Sequence, residues 1–185
     1  HDGRYKSASY SVDLSLANIR PTIRDVFDRR LSLGFVEDME REQHRVEAGL
    51  KRLEDERAER QKARGLASDA IGLLKTGGIE AIGNDLVLTL EHVTKLGIAP
   101  PEVQLIMQAI EQLKKTLAQV GEGVRFLDLV RARDQLVGKI QALDADIDKL
   151  HSQLNALKGK VQFIRVIHGI DDERQRYVGQ YQGVV

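Results

Sequence analysis

Residues 136–164 read LVGKIQALDADIDKLHSQLNALKGKVQFI. Leu136, Ile140, Leu143, Ile147, Leu150, Leu154, Leu157, Val161 and Ile164 alternate steps of four and three. That is a 3.5-residue period over about four heptads, the pattern of a helix that buries a narrow seam against another helix. Asp144, Asp146 and Asp148 lie between the seam positions. Their spacing resembles a calcium loop, but the turn glycine and late glutamate of such a loop are missing. They read as a solvated helix face, as does IDDERQRY at 170–177.

Working outward, an earlier register runs Val103, Ile106, Ile110, Leu113, Leu117, Val120, Val124 and Leu127, again in threes and fours. The two registers slip by two positions between Leu127 and Leu136, with Gly121 and Gly123 just upstream. The spacing predicts a stutter or kink within one long helix over 102–180, roughly 100 Å at about 1.5 Å per residue. Ahead of it, LGIAPPE places Gly97 as a C-cap and Pro100–Pro101 as a stop. Pro101 can open the next helix, since its missing N–H would be unpaired there.

Residues 36–64, VEDMEREQHRVEAGLKRLEDERAERQKAR, carry Met39, Val46, Leu50 and Leu53 on one narrow stripe. Glu37–Arg41, Glu47–Lys51 and Glu56–Arg60 are acid-then-base pairs four apart, each supporting a helix by about 0.2–0.5 kcal/mol. A helix over about 14–33 is expected before it, with alternation at Tyr10, Val12, Leu14 and Leu16 leaving a strand reading open over 10–16. Residues 1–9 read as a polar tail. Between the charged helix and a recovered stripe (Ile79, Ile82, Leu86, Leu90, Val93) lies GLASDAIGLLKTGGIEAIG, residues 65–83, rich in glycine and poor in charge. Two readings stand. It is a flexible interhelical connection with Leu66, Ile71, Leu73 and Leu74 packed beneath it, or a labile head that meets a bilayer through Leu66, Ile71, Leu73, Leu74, Ile79 and Ile82. Asp69, Lys75 and Glu80 make it a poor spanning segment alone, so insertion would be interfacial or oligomer-lined.

A single helix with so narrow a stripe cannot bury it alone. The expected fold is all-α, an elongated antiparallel helical bundle built on long coiled-coil helices, with one domain over 1–185. Lys plus Arg and Asp plus Glu are 28 each, so the basic excess of a general nucleic-acid binder is missing. With no cysteine, disulfides and thiolate metal sites are excluded. No run of about 18 apolar residues occurs, so no ordinary transmembrane helix is encoded. HDGRYKSASY has no apolar core of a secretion signal. The five histidines lack the close spacing of a helical metal pair, and His168 continues the seam after Ile164, where a satisfied packing role is expected. No phosphate loop, dinucleotide fingerprint or nucleophile elbow is present. No catalytic residue, cofactor or metal site is expected.

Residues 97–178 resemble the alpha-xenorhabdolysin family. The resemblance rests on LGIAPPE before a long helix, VGEGVRFLDLVRARDQL in its middle and IHGIDDERQRYV near its end. These are binary helical pore-forming toxins related in fold to cytolysin A. The resemblance implies a secreted chain, soluble before it meets a target cell membrane. It further implies a second toxin component as partner, a homo- or hetero-oligomer and contact with membrane lipid, with the A component the nearer match. Family members are longer and carry a more apolar head, so a fragment lacking that head is one expectation. The competing reading is a coiled-coil scaffold or adaptor with no membrane activity.

Overall fold

A computed structural model describes residues 29–116 and 123–182. The helix expected over 14–33, apart from its last turn, lies outside them, as do the strand reading of 10–16, the polar tail, and Leu117, Val120 and Gly121. The described residues form helices α1 (Arg29–Thr76), α2 (Ile79–Ile82), α3 (Leu90–Lys95), α4 (Pro100–Thr116) and α5 (Phe126–Gln182). Among the described residues there is no strand, only an isolated antiparallel bridge between Val87 and Arg125. The fold class is all-α, a helical bundle with long helices.

The chain divides into two compact units, residues up to 48 with those from 152, and residues 49–151. In the first, the N-terminal turns of α1 pair antiparallel with the C-terminal turns of α5. Glu40 accepts from Arg165 at 2.5 Å, and Ser32 lies 2.6 Å from His168 through Oγ and Nε2. Val36 and Val46 of α1 and Leu154 and Val161 of α5 are the buried apolar positions. His168 thus sits on the seam with a ring nitrogen bonded to a buried serine.

The second unit holds the larger core. Here α1 and α5 are again antiparallel, with Arg57 donating to Asp144 at 2.9 Å and His151 3.6 Å from Glu54. Leu50, Ile140, Leu143 and Ile147 fill their seam. Further along, Ala63, Ala67, Ala70, Ile71 and Leu74 of α1 meet Val103, Ile106, Ala109, Ile110 and Leu113 of α4. Phe126, Leu129, Ala132 and Leu136 of α5 complete the cluster, with Ile79, Leu88, Val93 and Val124 from the short elements. Where more than two helices meet, α1 replaces leucine by alanine, which lets backbones approach without loss of packing density. The charged face of α1 follows helix logic, although partners differ from simple four-apart pairing. Glu56 pairs with Arg60 as the spacing predicts, whereas Arg41 takes Asp38 and Lys51 takes Asp55.

Two expectations are corrected. The glycine-rich segment is not a break from residue 65, because α1 continues to Thr76 through Gly65 and Gly72. Both glycines are exposed, so helix packing on the other face carries the chain past them. The connection begins at Gly77–Gly78. There is also no single helix over 102–180, and the helix is not interrupted between Leu127 and Leu136. The seam slip records two separate helices. Gly123–Arg125 is non-helical, and α5 starts afresh at Phe126, unbroken to Gln182. Asp128 Oδ2 accepts from the Arg125 N–H at 2.8 Å, the reciprocal arm of a capping box. The new helix sets a new phase. Its seam begins at Leu129, while Leu127 is exposed.

Candidate functional site

The segment between α1 and α4 is the part of the larger unit built least like a regular bundle. Gly78 ends α1 with φ 81°, the left-handed geometry of a glycine stop. Gly77 packs so closely on Ile98 that an added Cβ would lie 3.0 Å from its side chain. Gly83 closes α2 at φ 126°, ψ 134°, and Gly97 follows α3 at φ 76°. Between Gly83 and α3 the chain is irregular. The Leu88 N–H donates to the Val124 carbonyl at 2.8 Å, and His92 Nδ1 lies 2.7 Å from the Val87 carbonyl. The Thr89 hydroxyl accepts from the His92 N–H at 3.2 Å and caps α3.

Three buried side chains, Ile79, Leu88 and Val93, pin this segment to the core. Of the six candidate head residues, Ile71, Leu74 and Ile79 are buried in that core. Leu66 and Leu73 are half-buried against it, and Ile82 is 59% exposed. The structure therefore brings five of the six to one core and leaves Ile82 on the surface. Leu90, also 60% exposed, borders an open groove of about 840 Å³ with Leu66 and Met107, rimmed by Lys62, Glu111 and Lys115. The stripe expected over Ile79–Val93 holds at its ends but not between. Residues 86–89 are not helical, so Leu88 turns inward and Leu90 outward, a phase change that a uniform helical period cannot carry.

On the coiled-coil seam, Leu136, Ile140, Leu143, Ile147, Leu154 and Val161 are buried, and Leu150, Leu157 and Ile164 are half-buried. Sequence reading passed over a second apolar set in the smaller unit. Phe163, Val166, Ile170, Tyr177 and Tyr181 are all exposed on α5, as are Leu31, Leu33 and Phe35 on α1. Their signal was available as further apolar positions beside the seam. The Tyr177 hydroxyl donates to Tyr181 at 3.1 Å with ring centroids 4.9 Å apart. That bond raises the Tyr177 pKa above the ordinary tyrosine value, with desolvation adding to it. Among the described residues no helix is long and apolar enough to cross a membrane, and no group of three or more His, Asp or Glu side chains could hold a metal.

Two solved structures share this arrangement. PaxB from Photorhabdus luminescens superposes with a TM-score of 0.73 at 23% identity, over 91% of this chain and 52% of its own. The fold is that of the alpha-xenorhabdolysin components. XaxB from Xenorhabdus nematophila matches the same fold, with a TM-score of 0.67 at 21% identity over 80% of this chain and 48% of its own. The chain thus spans about half the length of each alpha-xenorhabdolysin component it matches. No family model matches the sequence, and no curated protein does.

Proposed function

We propose that this chain is part of an alpha-xenorhabdolysin component, one half of a two-part α-helical pore-forming toxin. In this reading it is secreted, soluble until it meets the target cell membrane, binds that membrane and oligomerises with a second component. One observation carries the reading: likeness to PaxB over 91% of the chain. Sequence resemblance leaned to the A component. Both matched structures bear B names, so the B component is the reading adopted here.

Within it, the membrane face starts at Ile82 and Leu90, the exposed apolar residues between the glycine turns. Ile71, Leu74 and Ile79 would join only by leaving the core. Exposing each to water costs about 1.5–3 kcal/mol, so they stay buried until lipid or partner offsets that cost. The test is co-sedimentation with liposomes, run beside dye release. Pelleting with little leakage supports half of a two-part toxin. A chain that stays in the supernatant in every lipid mixture favours the scaffold reading instead.

A further inference from the structure

In the larger unit, the groove beside Leu90 carries two cations that no acid answers. Gly77 packs on Ile98, so α4 starts beside the end of α1 and returns along it. Lys62 lies as far before Gly77 as Leu113 lies after Ile98. Helices rise equally per residue, so Lys62 stands level with the last turn of α4, which holds Lys115. Both lysines line the groove. Neither forms an ion pair among the described residues. Glu111 is the acid on that rim, and Lys114 holds it at 3.6 Å. The dipole of α4 accounts for lysine in its own last turn, but Lys62 lies in the interior of α1. Further along α4 the wall is amide, from Gln104 and Gln108, and the floor is Leu66, Met107 and Leu90. Two like charges set level across a groove repel, and an anion between them turns that repulsion into attraction.

We propose that this groove seats one anionic phospholipid of the target membrane, with its phosphate between Lys62 and Lys115 and one acyl chain along Leu66, Met107 and Leu90. The inference rests on the membrane reading above and adds the class of lipid to it. A groove of about 840 Å³ is of the size that takes a small ligand. From Gln104 to Lys115 it follows roughly 16 Å of helix, enough for a headgroup and the glycerol end of a chain. A purely apolar occupant would leave the lysines unanswered, and a free anion would leave the floor unused. An anionic amphiphile answers both, with the lysine stems lying along the acyl chain and their ammonium groups on the phosphate. The placement is local because the chain as a whole has a net charge of zero, so no overall attraction draws it to an anionic surface. Selectivity for anionic lipid therefore depends on the two lysines that flank the apolar floor.

Phosphatidylcholine vesicles with and without phosphatidylserine test this on the whole chain. Phosphatidylserine should strengthen pelleting roughly tenfold or more. Lys62→Glu with Lys115→Glu should remove that gain. Lys139→Glu with Lys149→Glu makes the same charge change at exposed positions of α5 outside the groove, and should keep most of it. The seat itself can be read from the chain's two methionines, since Met107 lines the groove and Met39 lies in the smaller unit. With isotope-labelled methionine methyl groups, dihexanoyl phosphatidylserine below its micelle concentration should shift the Met107 resonance saturably and leave Met39 in place. No shift of Met107, or an equal shift with dihexanoyl phosphatidylcholine, overturns the proposal. Inorganic phosphate that shifts Met107 as far overturns it in favour of a free anion, and an oligoglutamate peptide that does so, in favour of an acidic protein. A Met107 resonance that moves with protein concentration alone assigns the groove to a second copy and overturns it equally. Equal pelleting with and without phosphatidylserine, or equal loss in both double variants, overturns this inference and leaves the membrane reading standing. A chain that pellets with no vesicle overturns both.

Discussion

At the scale of single residues, the glycines divide by conformation rather than by position in the glycine-rich stretch. Gly72 is exposed in the interior of α1 with open space around its Cα. Gly72→Ala should stabilise the chain by roughly 0.5–1 kcal/mol in urea unfolding. Gly78 has the same open surroundings but a φ of 81°. Gly78→Ala should cost about 1–2 kcal/mol, because a β-carbon is strained in the left-handed region. Leu74, at 0% exposure, anchors the core directly before that turn. Leu74→Ala should cost about 2–5 kcal/mol, read from the same unfolding curves. Leu73→Asp with Leu74→Asp would therefore test the core before it tested a membrane. Ile82 and Leu90 offer the cleaner test, being exposed. Composition marked this stretch as unusual, yet it could not separate a helical glycine from a left-handed one. That distinction depends on whether the other face of the helix is packed.

At the scale of elements, period carried most of the reading and start points carried the rest. The seam from Leu136 to Ile164 could be read from its spacing, because a long two-helix contact repeats without interruption. The earlier register failed to join it for a reason that only the fold supplies. Arg125 and Asp128 begin a new helix whose phase owes nothing to α4. Asp128→Ala should lower stability by about 0.5–2 kcal/mol, and far-UV dichroism should register fraying at the start of α5. The short elements between α1 and α4 were the least readable. A residue such as Leu88 is buried by one extended turn held on the Val124 carbonyl, and no periodic pattern announces that.

At the scale of the whole molecule, two compact units share α1 and α5, and the fold matches about half of each toxin component it resembles. The function proposed rests on that likeness together with the apolar residues presented between Gly78 and Gly97. Partner-free chain should bind vesicles with little leakage, because a two-part toxin needs its second component to complete a pore. The candidate head residues were all visible in the sequence. Their division into core and surface was not, since it depends on α4 and α5 closing over Ile71, Leu74 and Ile79. The most direct measurement is co-sedimentation with liposomes of phosphatidylcholine, cholesterol and an anionic lipid, comparing the unaltered chain with Ile82→Asp/Leu90→Asp. The account predicts that the unaltered chain pellets with vesicles while the double variant, equally helical, remains in solution. Equal pelleting of both, or no pelleting of either, would contradict it.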